Sequence, residues 1–240
     1  MAFEFEPIGI IRSCFKEKFG IPRQPGLAPA ATAQLELLAP YNDPDAVAGL
    51  EQVSHLWLQF VFHQNRNAEH QSKEWKPKVK PPRLGGNKKM GVFATRSPVR
   101  PNPIGLSVVK LESIDTSSGV LLNLSGIDLL DGTPVLDIKP YVPYVDCVTD
   151  ATNQFADKSP NLLPVSFSSE AASFCESYMG IEDLRVLVQQ VLQQDPRPQY
   201  QTPDPDRRYA MKLLDLDVAW YYQQSPQGWG IRVDNILQVG

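Results

Sequence analysis

The stretch GVLLNLSGIDLLDGTPVLDIKPYVP at 119–143 decides the fold. It reads as strand, turn, strand, because Asp131-Gly132 between two apolar runs is a strong hairpin signal. Outward from it the same texture repeats. IGLSVVKLESID (104–115) is a strand, and SHLWLQFVFHQN (54–65) is β-branched and aromatic-rich, a buried strand ending in His63-Gln64. ATAQLELLAP (31–40) alternates apolar and polar residues, the period of a half-buried strand. FEPIGIIRS (5–13) is a first strand and MGVFATR (90–96) a short one. Strands so numerous and so closely spaced predict a mainly β protein with a closed or nearly closed antiparallel barrel. KFGIPRQPGLAPAA (18–31) is a Pro/Gly loop, and 66–88 is polar, basic and loop-like. DPDAVAGLEQ (43–52) suits a short helix, with Asp43 as N-cap and Pro44 in the first turn.

Composition shifts over CVTDATNQFADKSPNL, so 1–145 is expected to form the barrel domain, 146–162 a linker and 163–240 a small α+β domain. In the last part LPVSFSS suits a strand. EAASFCESY and EDLRVLVQQVLQQ have helical periodicity, the second ended by Asp195-Pro196. RRYAMKLLDLDVAWYYQQ and GWGIRVDNILQVG look like a final hairpin.

The chain of 240 residues, 42% hydrophobic and 21% charged, can bury a core, and its 22 prolines favour turns and short strands over long helices. No run approaches the roughly 20 apolar residues of a membrane span. The N-terminus carries early acids and no basic-then-apolar signal pattern. Cys14, Cys147 and Cys175 lie far apart and read as reduced thiols, which points to the cytoplasm and to neither disulfides nor a zinc site.

The net charge of −4 speaks against a nucleic-acid partner, but its distribution does not. Between Glu74 and Glu112 there is no acid, while Lys76, Lys78, Lys80, Arg83, Lys88, Lys89, Arg96, Arg100 and Lys110 fall inside that window. Such a stretch suits phosphate binding, with a solvated lysine-rich loop as the plain alternative. Within it, SPVRPNPIG packs Pro98, Pro101 and Pro103 between Arg96 and Gly105. Proline stiffness lowers the cost of holding side chains in place. Arginine forks bind carboxylate or phosphate, and Asn102 offers both a donor and an acceptor. A rigid barrel corner with solvated arginines is the competing view. G-x-G-x-x-G after a strand, G-x-x-x-x-G-K-[ST] and G-x-S-x-G are all absent, and His55, His63 and His70 lack metal spacing, so no metal is expected.

Gly91–Gly105, GVFATRSPVRPNPIG, resembles the signature of the TsaA/TrmO-like family. PRQPG (22–26), SHLW (54–57), FVFHQ (60–64), PPRLGGN (81–87) and DLLDGTPVLDIKPYVP (128–143) are similar to further landmarks of that family, and QDPRPQY (194–200), with Tyr209 following, is similar to its bacterial long form. The resemblance implies a homodimeric β-barrel tRNA methyltransferase that uses S-adenosyl-L-methionine. It implies as target N6 of N6-threonylcarbamoyladenosine at position 37, beside the anticodon. Carried onto matching positions, the cofactor site comprises Gln24, Pro25, Gly26, His63, Gln64, Arg96, Leu106, Asp128, Leu129, Leu130 and Asp131. Arg100 and Asn102 are expected near the target base or its threonyl carboxylate. Lys76, Lys78, Lys80, Arg83, Lys88 and Lys89 are expected on anticodon-stem phosphates. The target nitrogen is a poor nucleophile, so loss of its proton needs help; His63 and Asp131 are the catalytic candidates. A non-enzymatic RNA-binding barrel and a methyltransferase for another substrate remain the alternatives. DPRPQY with Arg207-Arg208 either completes an anticodon pocket or serves as a helix stop.

Overall fold

The computed structural model describes residues 3–65, 76–81, 89–157, 159–198 and 200–239. Six strands close a barrel: β1 (Gly9–Ser13), β2 (Thr32–Leu37), β3 (His55–Val61), β6 (Ile104–Asp115), β7 (Leu121–Ser125) and β8 (Pro134–Pro140), in the order β1-β2-β7-β6-β3-β8. All neighbours are antiparallel. Alternation drives it. Leu56, Leu58 and Phe60 of β3 point inward between half-buried partners, as do Leu122 and Leu124 of β7 and Ala33, Leu35 and Leu37 of β2. β4 (Lys78–Val79) and β5 (Met90–Gly91) form a small separate ribbon.

The decisive stretch departs from expectation in one respect. β7 and β8 do not pair, so Asp131-Gly132 is not a hairpin turn. β7 lies between β2 and β6, and β8 between β1 and β3. The connection 126–133 therefore crosses an end of the barrel. Its apolar residues explain why. Ile127, Leu129 and Leu130 are buried, which a solvent-facing two-residue turn could not achieve. The crossing is stitched to the β1 end: Gly132 N–H donates to the Ile11 carbonyl (2.8 Å), Ile11 N–H to Thr133 (2.9 Å) and Asp131 N–H to Phe15 (2.9 Å). Gly132 has φ +76°, a conformation that favours glycine.

Other differences are local. The segment 43–52 forms two 3₁₀ turns, Pro44–Val47 and Leu50–Gln52, because Gly49 at φ +92° interrupts them; Asp43 does cap the first, accepting from the Asp45 N–H. In 90–96 only Met90–Gly91 is extended, and Val92–Ala94 turns, held by Thr95 Oγ1 donating to the Val92 carbonyl at 2.8 Å. The first strand begins at Gly9, and His63–Asn65 is a 3₁₀ turn after β3.

The chain then forms α1 (Pro143–Asp146), β9 (Val165–Phe167), α2 (Ser169–Ser177) and α3 (Leu184–Leu192). The expected final hairpin is three strands, β10 (Arg208–Leu213), β11 (Leu216–Ser225) and β12 (Gly228–Gln238), with β9 parallel to β12 at the edge. Ser168 and Asp183 cap α2 and α3 by accepting from the N–H of Ala171 and Val186. Leu184, Leu187, Val188, Val191 and Leu192 of α3 are buried in the same core as Trp220 and Tyr222. That core is continuous with the barrel's. The segment between β1 and β2 joins them: Phe19 stacks on Trp220 (5.8 Å between ring centroids), and the Leu214 N–H donates to the Cys14 carbonyl at 2.7 Å.

Gly105 sits opposite Phe60 in the β3–β6 register, and a Cβ there would lie 2.2 Å from the Phe60 ring. Phe60 is buried and packs edge-on against Phe62 at 5.1 Å, which limits its room to shift. Gly105→Ala is therefore expected to destabilise the protein by roughly 1–3 kcal/mol through overpacking. A double-mutant cycle with Phe60→Leu, measured by urea unfolding, should show that cost shrinking in the smaller background.

Candidate functional site

Three irregular segments meet at the crossed end of the barrel: the Pro/Gly loop, the proline-rich loop before β6, and the crossing 126–133. The closest approach is backbone to backbone. The Gly26 N–H donates to the Gly126 carbonyl at 2.8 Å. A Cβ on Gly126 (φ +69°) would lie 3.4 Å from Gly26 Cα, whereas a Cβ on Gly26 (φ +76°) would meet nothing within 4 Å. Gly26 thus presents bare backbone to open space, a surface on which a ligand can lie close. Beside it, the Arg96 guanidinium donates to Gln24 Oε1, and the Arg96 charge also acts on Asp128. On the barrel side Ser107 Oγ donates to Asp128 Oδ1 at 2.7 Å.

His63 enters from the turn after β3, its Nε2 4.0 Å from where a Cβ on Gly132 would stand. Lys18 Nζ donates to the Gln64 carbonyl at 2.9 Å, tying that turn to the Pro/Gly loop. The structure therefore brings together Gln24, Gly26, Arg96 and Asp128 directly, with His63 and Gln64 at the margin of the same crossing.

Burial tunes two of these groups. It pushes the Asp128 carboxyl up to about 6, against the opposing pull of the Ser107 hydroxyl and Arg96. It also holds the His63 imidazole below its ordinary value, with Lys18 adding to the effect. Above pH 6.5 Asp128 is mainly a carboxylate and His63 mainly a neutral imidazole.

Other expected residues are placed differently. Asp131 has both oxygens engaged: Oδ1 accepts from the Ser13 N–H at 2.8 Å and Oδ2 pairs with Lys16 at 3.0 Å. Leu129 and Leu130 are both buried, and Leu129 packs in the core. Leu106 stands on the opposite face of β6 from Ser107 and is 53% exposed. The Arg100 guanidinium folds back on the carbonyls of Thr95 and Ser97, at 3.4 Å each. Asn102 is exposed, and its carbonyl accepts from the Ile104 N–H at 2.8 Å. Lys76, Lys78, Lys80 and Lys89 are exposed along the β4–β5 ribbon, while Arg83 and Lys88 lie outside the described residues.

Ser107 and Gly126 were not anticipated. Ser107 had a signal, a hydroxyl at an inward slot of an otherwise apolar alternation; Gly126 had none beyond following a serine. Among the described residues no group of three or more His, Cys, Asp or Glu could hold a metal ion. None of their helices is long and apolar enough to cross a membrane.

The crossed end of the closed barrel thus gathers a bare glycine backbone, an amide, a guanidinium and a buried carboxylate. Residues 10–147 match the family described as the tRNA-methyltransferase O N-terminal domain, and residues 160–236 match the TrmO C-terminal domain. The chain belongs to the tRNA-methyltransferase O family. RcsF of Pseudomonas aeruginosa, provisionally named as an S-adenosylmethionine-dependent methyltransferase, is 55% identical over 226 residues, 92% of this chain and 94% of that protein. The tRNA (adenine(37)-N6)-methyltransferase of Escherichia coli is 48% identical over 226 residues, 91% of this chain and 93% of that one. The crystal structure of TrmO from Pseudomonas aeruginosa superposes with a TM-score of 0.79 at 45% identity, covering 99% of both chains.

The Asp128 carboxyl is a stability liability with a definite sign. Its folded value of about 6 exceeds the ordinary 3.8, so the native state binds the proton more tightly. The group's relative contribution is full below about pH 4 and is lost as pH rises through about 6. Asp128→Asn, which keeps an oxygen for Ser107, should gain up to ~2–3 kcal/mol over the parent at about pH 8 and nothing near pH 4. Urea midpoints at the two pH values check this.

Proposed function

We propose that the protein is an S-adenosyl-L-methionine-dependent methyltransferase acting on N6 of N6-threonylcarbamoyladenosine at position 37 of tRNA. The observation that carries this is the family match over both modules, together with near-complete coverage of a relative named for that position. As the family resemblance implies, it works as a homodimer, and its widely spaced cysteines, read as reduced thiols, favour the cytoplasm.

The residues at the crossed barrel end fit the methyl donor. Gly26 offers unshielded backbone, Pro25 stiffens its approach, and the Gln24 amide is already oriented by Arg96. The Asp128 carboxylate, fixed by Ser107, supplies negative charge suited to a cationic ligand. Leu106 gives an apolar contact, and the backbone of Leu129 and Leu130 completes the wall. When bound, the donor supplies a methyl group activated on a sulfonium.

The chain's own work is to orient the target nitrogen and take its proton. His63 is assigned that proton: its depressed basicity keeps Nε2 neutral at pH 7, and Gln64 holds the turn beside it. Asp131 is the weaker candidate, since its oxygens already serve Ser13 and Lys16. Arg100 and Asn102 face the threonyl carboxylate or the base, and Lys76, Lys78, Lys80, Arg83, Lys88 and Lys89 meet stem phosphates.

Calorimetry with S-adenosyl-L-methionine should give saturable heat below millimolar concentration, and tRNA nucleosides from a deletion strain should lack methylated threonylcarbamoyladenosine by mass spectrometry. Absence of binding heat would leave an RNA-binding barrel; an unchanged nucleoside profile would point to another substrate. His63→Ala should slow single-turnover methylation by roughly 10²–10⁴-fold. The acid limb of the parent's rate profile should fall below pH 6.5, the ordinary imidazole value. Asp131→Ala should instead cost about 1–3 kcal/mol of stability through the orphaned Ser13 N–H, with the chemical step largely kept.

A further inference from the structure

The C-terminal module grips the Pro/Gly loop at three places. Gln190 Oε1, on α3, accepts from the Ala30 N–H at 2.7 Å. Gln194 Nε2, in the turn after α3, donates to the Leu27 carbonyl at 3.1 Å. The Arg197 carbonyl accepts from the Arg23 guanidinium at 3.2 Å. These contacts bracket Gln24, Pro25 and Gly26 on both sides. The loop has no regular structure between Ser13 and Thr32, so its order comes from such contacts.

The gripping element is itself fixed. Asp195 sits at φ +52° and pairs with Arg197 at 3.0 Å, and both side chains are largely buried. The Tyr222 hydroxyl, from the floor of the C-terminal sheet, donates to Asp195 Oδ1 at 2.8 Å, and the Arg197 guanidinium lies over the Tyr222 ring. The helix stop is thus locked to β11, and α3 is locked by its buried apolar face.

We propose that Gln190 and Gln194 are positioning residues for the methyl donor: the C-terminal module holds the 22–30 loop in its binding conformation, so donor affinity is set partly from outside the barrel. This rests on the assignment of Gln24 and Gly26 to the donor. The contacts pre-order the loop and remove that cost from binding.

The polarity of the Gln190 contact supplies the test. It needs only an acceptor, so Gln190→Glu keeps it and Gln190→Met loses it at similar volume. Gln194→Met loses the donor to Leu27. In the full-length protein each Met variant should raise the S-adenosyl-L-methionine Kd roughly 3- to 10-fold by calorimetry. The donor KM should rise in parallel, with kcat at saturating donor kept within about twofold. Amide exchange at 26–31 should quicken, and Gln190→Glu should restore parental affinity. The proposal is overturned if both Met variants bind the donor like the parent, or if Gln190→Glu is as weak as Gln190→Met. Gln24→Ala separates the two levels. If it weakens donor binding while the Met variants do not, only the positioning role falls; if it too leaves affinity unchanged, the donor assignment of the loop falls first.

Discussion

Closure of the barrel in the order β1-β2-β7-β6-β3-β8 obliges the chain after β7 to cross the barrel end before β8 can begin, and that crossing governs most of what is built there. Covered backbone groups must be paired, and they are, through Gly26 to Gly126, Gly132 to Ile11 and Asp131 to Phe15. Ile127, Leu129 and Leu130 plug the end, each worth roughly 1.5–3 kcal/mol on burial. Asp128 lies between two of them and is drawn out of water with them. The net cost of keeping that carboxylate ionised, on the order of 3 kcal/mol at neutral pH after Ser107 and Arg96 have offset part of its desolvation, is smaller than the gain from its apolar neighbours. The buried charge is therefore sustained by the plug.

Burial acts on Asp128 and His63 with opposite sign on their charged forms. It disfavours the carboxylate and disfavours the imidazolium, so one group rises and the other falls toward the mildly acidic range. At neutral pH the outcome is an anion and a neutral base at the same end of the barrel, which matches the division of labour that the proposed donor binding and proton acceptance would demand. Asp131, only a few residues away, has its oxygens held by a backbone N–H and an ammonium. Three polar groups at this end of the barrel thus sit in three different environments, set by what each is packed and bonded against.

The strands of the barrel and the C-terminal module were legible because period-two alternation survives wherever one face is wet. β2, β3, β6 and β7 all show it. Pairing was not legible. Asp131-Gly132 carries the local chemistry of a hairpin, yet the partners of β7 and β8 are chosen by closure, a long-range condition that no dipeptide reports. The same holds for the site. The proline-rich motif marked Arg96, but that Arg96 would orient Gln24 across the space between two loops, and that Ser107 would hold Asp128, depends on register. Leu129 and Leu130 were expected at the site only because the family resemblance carries the whole 128–131 turn there; that both are buried could be learned only from the fold.

A phosphate-cradling fold such as a strand–Gly-rich turn–helix offers a ligand backbone N–H groups that regular structure has already oriented. Among the described residues this barrel has no such helix at its crossed end, and its bare backbone at Gly26 comes from a loop rich in proline and glycine. Proline restrains part of that loop, but the glycine that lets a ligand approach also adds conformational freedom that must be removed. The barrel contributes one hydrogen bond to Gly26 itself; the bonds to Leu27 and Ala30 come from α3 and the turn after it. A module whose helix buries its apolar face in the same core as Trp220 and Tyr222 can hold those two points rigidly, because its own order is secured by the burial of Leu187, Val188, Val191 and Leu192. The stability of the C-terminal core is in this way carried, through two glutamines, into the geometry of a loop at the end of the barrel.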